Sequence, residues 1–167
     1  AKNLIELSGL ELKTISFGGS PQMWKAHEVP LATEYRVGTY IYNDKSLIVA
    51  GACTVEDCAL TILATVISTP APNRAVIDAG SKVLTSDLMG LEGHGLIVGY
   101  PDLTISQLSE EHGCITSNTS TNLRVGQRIQ VIPNHACVVS NMVDHVVFIE
   151  DDQVLMQKPV VARGKVW

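Results

Sequence analysis

No stretch of this sequence approaches the roughly 20 consecutive apolar residues that a membrane-spanning helix needs. The longest apolar run, residues 59–67, is broken by Thr61 and Thr65, so a soluble chain is expected. The twelve Lys and Arg are scattered among 17 Asp and Glu, leaving a formal net charge of −5. A nucleic-acid partner would need a basic face, and none is offered. There are only four cysteines, Cys53, Cys58, Cys114 and Cys137, at irregular spacings. That excludes the disulfide framework of a small secreted domain and points to a reducing, cytoplasmic home. Cys53 and Cys58 are not followed by a second Cys or His pair at finger spacing, which removes a zinc finger. Internal repeats and low-complexity tracts are also missing. The first residues, Ala1-Lys2-Asn3-Leu4, have neither an initiator Met nor the apolar core of a signal peptide, as a processed or internal start would look.

What is present suffices for one core: 167 residues, 46% of them hydrophobic. Residues 3–10 have the pattern of the last turns of an amphipathic helix stopped by Gly9. Residues 12–17 alternate as a short strand and run into Gly18-Gly19-Ser20-Pro21, and residues 34–42 alternate again up to the turn signal Asn43-Asp44. Helix, strand and glycine turn in that order mark a β/α repeat. From Leu47 onward the pattern changes to short apolar segments punctuated by Gly, Pro and Asp. Strands are expected near 59–69, 74–78, 95–99, 113–117, 127–132, 144–149 and 153–162, with few helices between them. The predicted fold class is α+β, mainly β: a β-barrel or sandwich over 46–167, preceded over 1–45 by the last β/α unit of an α/β (TIM-like) barrel.

Two motifs carry chemistry. Gly18-Gly19-Ser20 directly follows a strand, where converging backbone N–H groups and a hydroxyl can cradle a phosphate; an ordinary flexible turn is the competing reading. In Pro133-Asn134-His135-Ala136-Cys137, His and Cys two apart in extended backbone would project from one face and converge on a metal ion. Two ligands leave positions open for water or substrate, as in catalytic sites, while an inert thiol beside an incidental histidine is the alternative. Glu110-Glu111-His112 reads as a solvated turn, His94 between two glycines as an exposed loop residue, and Asp144 with His145 as an exposed strand start. Ser140 lacks the glycines of a nucleophile elbow.

Five segments occur in one order: Ile15-Ser16-Phe17-Gly18-Gly19-Ser20-Pro21, Thr33-Glu34-Tyr35-Arg36-Val37-Gly38-Thr39-Tyr40, Ala75-Val76-Ile77-Asp78-Ala79-Gly80-Ser81-Lys82, Leu108-Ser109-Glu110-Glu111-His112-Gly113 and Pro133-Asn134-His135-Ala136-Cys137. Together they resemble the D-threonine aldolase and D-serine dehydratase family. Members are fold-type III pyridoxal-phosphate enzymes, an alanine-racemase-like barrel followed by a β-rich domain, generally paired as dimers. The resemblance implies that Gly18, Gly19 and Ser20 bind the cofactor phosphate with Tyr40 at the same site. It also implies that His135 and Cys137 hold a divalent metal, zinc or manganese, near the hydroxyl of a small D-amino acid substrate. Gln22 departs from the pattern, since a Thr often follows the Pro in this family.

None of Lys2, Lys13, Lys25, Lys45, Lys82, Lys158 or Lys165 sits in the family's Schiff-base motif, which belongs to barrel sequence upstream of this region. The expectation is a C-terminal portion of a lyase, lacking a closed barrel and inactive alone. Two other function classes compete with it. One is a self-standing β-domain for dimerisation or small-ligand binding. The other is a zinc hydrolase that recruits Glu111 or His112 as a third ligand.

Overall fold

The computed structural model describes residues 2–165. Helix α1 (Lys2–Leu7) ends before Gly9, whose φ of +84° supplies the left-handed turn expected of a stop residue. Strands β1 (Ser16–Gly18) and β2 (Glu34–Arg36) pair in parallel, Phe17 opposite Tyr35, and are joined by a 3-10 segment over Ser20–Glu28. Two parallel strands with a helical crossover make the expected β/α unit. Both strands are shorter than their alternation predicts. Pairing starts only at Ile15, whose carbonyl accepts from Thr33 and Glu34. After Arg36 the backbone turns at Gly38 (ψ −52°) into a 3-10 turn, Thr39–Ile41, ending the strand predicted over 34–42.

The second region is built on β3 (Ile62–Ala71), where Ile62, Ala64 and Val66 point inward and Leu63 and Ile67 outward. Around it are β4 (Arg74–Ile77), β5 (Leu96–Ile97), β6 (Thr104–Leu108), β7 (Gly113–Thr116) and β8 (Arg128–Ile132). The six form one antiparallel sheet in the order β5-β8-β3-β4-β7-β6. Register shifts after Val66 and Ser68 let β3 serve β8 with its first half and β4 with its second, bending the sheet on itself. The edge strands β5 and β6 come side by side, and His94 N–H donates to Ile105 C=O (2.9 Å) across the seam, leaving a nearly closed barrel. Val66, Ala75, Ile77, Ile97, Ile105, Ile115 and Val131 fill its interior, each at most 1% exposed. Strand β6 lies outside every segment predicted from the sequence. Strand β5 is cut short at both ends by Gly95 and Gly99, with φ of +125° and +79°.

Beyond the barrel, β9 (His145–Glu150) and β10 (Gln153–Pro159) form a hairpin turned by Asp151 and Asp152, both at positive φ. Its apolar side chains, Val147, Phe148, Ile149, Val154, Leu155 and Met156, are open to solvent. No helix among the described residues is long and apolar enough to cross a membrane.

The few helices expected here are three short ones: α2 (Lys45–Val49), α3 (Ser81–Leu84) and α4 (Ala136–Met142). Two of them share one cap. Asp44 is fully buried; its Oδ1 accepts from Leu47 N–H (3.1 Å) and Ser46 Oγ–H (2.6 Å), capping α2. Its Oδ2 accepts from Ala136 N–H (2.9 Å), the first residue of α4, 92 positions away. Alongside, Lys45 N–H donates to Pro133 C=O and Ser46 N–H to Asn134 C=O, so the carboxylate sits in a backbone clasp between the two helix starts.

Asp44→Ala removes the side-chain acceptor shared by Leu47 N–H, Ser46 Oγ–H and the buried Ala136 N–H at two helix ends and is expected to cost about 2–4 kcal/mol of unfolding free energy. Asp44→Asn, which keeps an acceptor, should cost less than Asp44→Ala. Urea unfolding followed by circular dichroism measures both, and a wild-type midpoint for Asp44→Ala would contradict the shared cap.

Candidate functional site

Strand β8 ends at Ile132, and the next five residues are placed by contacts from three directions. Pro133 and Asn134 are held by the clasp of Lys45 and Ser46, while Asn134 Nδ2–H donates to Gly93 C=O (2.8 Å) and Asp87 C=O (3.4 Å). His135 is extended (φ −138°, ψ 99°) and occupies the N-cap position of α4 without capping it by its side chain. Its imidazole turns instead to Asp87, with Nδ1 2.7 Å from Oδ2. Cys137 is exposed and its Sγ lies 3.3 Å from Thr39 Oγ1. The extended His-x-Cys predicted from spacing is therefore corrected: Cys137 is in the first turn of α4. Its bond to Asp44 draws Ala136 N–H inward, leaving His135 and Cys137 on either side of a fixed amide.

Asp87 belongs to a loop after α3 bent by Thr85 (φ +63°) and Met89 (φ +50°). Its N–H donates to Thr85 Oγ1 and its Oδ1 accepts from Met89 N–H, each at 3.2 Å. The hydrogen bond from His135, reinforced by the Met89 amide, holds the Asp87 carboxyl below the usual carboxylate range. The contact with Asp87 engages Nδ1, the way a carboxylate orients a histidine ring, and leaves Nε2 as the other candidate nitrogen. Nothing in Thr85-Ser86-Asp87 signals this role, because the partner lies 48 residues away. Among the described residues no group of three or more His, Cys, Asp and Glu could hold a metal ion. Glu111, the third ligand that a hydrolase would need, is bound to Lys82 instead (2.5 Å). The site thus offers one imidazole and one exposed thiol, flanking the Ala136 amide, as candidate ligand groups.

The glycine turn is built differently. Gly19 has φ +120° and donates its N–H to Arg36 C=O (3.0 Å), and a Cβ at Gly18 would fall 2.9 Å from Arg36 Nη2. Glycine therefore lets the Arg36 guanidinium lie over the turn, steadied by Ser16 Oγ at 2.7 Å from its Nε. Ser20 opens the 3-10 segment, only 3% exposed, and its hydroxyl has no partner. A buried, unpaired hydroxyl at the end of a turn overlaid by a guanidinium fits an anion such as a phosphate. Arg36 was not singled out for this in the sequence, although it sits in one of the five segments.

Tyr40 is half exposed and lines a cavity of about 430 Å³ with Met23, Trp24, Val37, Asn43 and Cys53. Gly18, Gly19 and Ser20 do not line it; the 3-10 segment that Ser20 opens does, through Met23 and Trp24. Tyr40 shares its turn with Thr39, the residue touching Cys137, so cofactor and metal candidates are one side chain apart.

Lys45 is a clamp: its Nζ donates to Glu92 C=O (2.5 Å) and Gly95 C=O (3.1 Å), and burial pulls its pKa down. His94, expected in the open, has a buried Nδ1 without a partner, and burial followed by the nearby Lys45 charge lowers its pKa. Ser140 donates to Cys137 C=O and Asp144 pairs with Arg163 at 3.1 Å, so neither joins a catalytic group.

The family model described as "Putative serine dehydratase domain" matches residues 59–149. An uncharacterized protein of Mycobacterium tuberculosis is 38% identical over 129 residues, covering 74% of this chain and 97% of that protein. The D-threo-3-hydroxyaspartate dehydratase of a Delftia species is 28% identical over 155 residues, covering 82% of this chain and 41% of the dehydratase. The crystal structure of D-threonine aldolase from Filomicrobium marinum matches with a TM-score of 0.79 at 25% identity, over 99% of this chain and 45% of the aldolase. The chain spans less than half the length of these two named enzymes, in the C-terminal part of each.

The depressed Asp87 value sets a pH dependence. A carboxyl whose folded pKa lies below its unfolded value, near 4, stabilises the fold above that value and loses the contribution as pH falls through the folded one. Asp87→Asn should therefore show a shallower loss of stability than wild type below about pH 4, measured by thermal unfolding across pH. Superimposable acid limbs would show that the Asp87 to His135 bond is not made in solution.

Proposed function

Because the chain belongs to the serine dehydratase domain family, we propose that it is the C-terminal portion of a metal-assisted, pyridoxal-phosphate-dependent lyase acting on small D-β-hydroxy-amino acids. The observation that carries this reading is the His135 corner: Nδ1 is spent on Asp87, leaving Nε2 and the exposed Cys137 thiol beside the turn that bears Tyr40. Pyridoxal phosphate supplies an electron sink, and a divalent ion, zinc or manganese, a Lewis acid for the substrate β-hydroxyl.

The remaining tasks fall to the chain's own residues. Ser20 donates its unpaired hydroxyl to a phosphate oxygen, Gly18 and Gly19 keep the approach clear, and Arg36 places a positive charge over the turn. Tyr40 and Trp24 form an apolar wall. His135 and Cys137 hold the ion, and Asp87 fixes the ring that does so. Retro-aldol cleavage deprotonates the β-hydroxyl and β-elimination expels it once the α-proton is lost, so one pair of ligands at that hydroxyl would serve either reaction. In this reading residues 1–45 complete a barrel and 46–167 form the metal-binding domain. The Schiff-base lysine comes from barrel sequence outside this chain. Exposed Leu4, Leu7, Trp24 and Leu31 support an absent barrel partner, and the open hairpin supports a homodimer.

A second reading, a β-domain that folds and binds without catalysis, is favoured by the M. tuberculosis relative, of which this chain covers 97%. Metal analysis separates the two. The lyase reading expects about one zinc or manganese per chain after equilibrium dialysis, with affinity reduced at least roughly tenfold in His135→Ala or Cys137→Ala, since one of two ligands is lost. A folded, metal-free wild-type chain would favour the second reading. Turnover of D-threonine or D-serine by this chain alone would overturn the assignment of the lysine to a missing part.

A further inference from the structure

The loop between α2 and β3 carries a second pair of sulfurs that no role above uses. Thr54 N–H and Oγ–H both donate to Asp57 Oδ2 (2.8 and 2.9 Å), and Cys58 N–H donates to Val55 C=O (3.2 Å). This tight turn folds Cys58 back over Thr54, the chain neighbour of Cys53, and the Cys58 thiol meets the Thr54 carbonyl at 3.6 Å. The loop is anchored around the pair. Trp24 Nε1–H donates to Ala52 C=O (2.6 Å), Asn43 Nδ2–H to Asp57 C=O (2.8 Å), and Ala59 N–H to Tyr42 C=O (2.7 Å). Cys53 faces the 430 Å³ cavity shared with Tyr40.

We propose that Cys53 and Cys58 form a reversible dithiol–disulfide couple, a redox-modification site in the wall of the Tyr40 cavity that exchanges with low-molecular-weight disulfides. The reaction balances without another reactant. The Cys53 thiolate attacks one sulfur of the small disulfide and releases one small thiol; the Cys58 thiolate then attacks the Cys53 sulfur of the mixed disulfide and releases the second. Two electrons pass to the small disulfide, and the two protons lost by the cysteines appear on the released thiols. Order follows access: Cys53 lines the cavity and is met first, and Cys58, folded back onto the neighbouring Thr54, is the resolving thiol.

The surroundings set the speed. Burial and the facing Asp57 and Asp44 carboxylates push the Cys53 thiol up. Cys58 is pushed up to about 12 by burial first, then by Cys53, Asp44 and Asp57. Both are protonated at neutral pH, so the couple is slow there and quickens with alkalinity. Conversion of Cys53 to a mixed disulfide removes one of the charges that hold the Cys58 thiol up. The couple is independent of the lyase reading, since neither sulfur belongs to the metal or phosphate candidates.

Incubation with oxidised glutathione, followed by alkylation and tryptic mass spectrometry, tests it. Residues 46–74 form one tryptic peptide containing both cysteines. That peptide should lose two hydrogens without retaining glutathione, at least roughly tenfold faster at pH 9 than at pH 7, whatever Cys137 carries. Cys58→Ser should trap glutathione on Cys53. In a Trp167→Phe background Trp24 is the sole indole, and its fluorescence should fall on oxidation and return with dithiothreitol. Two thiols still open to alkylation after prolonged exposure at pH 9, or a wild-type mixed disulfide that never resolves, would overturn the couple. Unchanged Trp24 fluorescence alongside a formed disulfide would overturn its placement in the cavity wall.

Discussion

One buried carboxylate carries the geometry of the molecule. Asp44 caps α2 with one oxygen and fixes the first amide of α4 with the other, joining the end of the β/α unit to the turn after β8. An anion with no exposed surface is tolerable only when its lone pairs are filled, and here each oxygen has a donor. The clasp of Lys45 and Ser46 onto Pro133 and Asn134 repeats the same junction with backbone bonds. The site is consequently made of two chain regions nearly a hundred residues apart that meet at one point. Thr39 and Tyr40 arrive from one side, His135 and Cys137 from the other.

This explains which parts could be read from the sequence. Ile62, Ala64 and Val66 alternate with outward neighbours, so β3 declares itself through its own period, as do β4, β7 and β8. The family segments are likewise local strings. Helix α4 is not: Ala136-Cys137-Val138-Val139 has the β-branched look of a strand, and the acceptor for its first amide is Asp44, remote in sequence. The Asp87 to His135 bond is hidden for the same reason, since spacing carries no information about a contact across 48 residues. His94 was misjudged because the glycines on either side suggest mobility, whereas Gly93 and Gly95 are there for close packing. A Cβ on Gly93 would meet Thr104 Cγ2 at 2.8 Å and one on Gly95 would meet Val131 Cγ1 at 2.7 Å.

The two halves of the candidate site are held by different kinds of force. The His135 corner depends on backbone bonds that water reaches poorly, in surroundings where Ala136 and Asn134 are buried. The glycine turn rests on Arg36, Ser16 and Glu34, whose mutual bonds lie at the surface and face competition from solvent and salt.

The hairpin of β9 and β10 has a consequence of a different sort. A two-stranded ribbon has two unpaired edges, and this one is apolar along much of its length, from Val147 to Ile149 and from Val154 to Met156. Such a ribbon is a template for adding strands from other molecules, which makes it the segment where clumping of partly concentrated protein would begin. The charges that interrupt it, Glu150 with Asp151 and Asp152 at the tip and Lys158 near the base, stand where gatekeeper residues discourage endless stacking. Colloidal behaviour is thus governed by about fifteen residues at one end of the molecule rather than by its well-packed barrel.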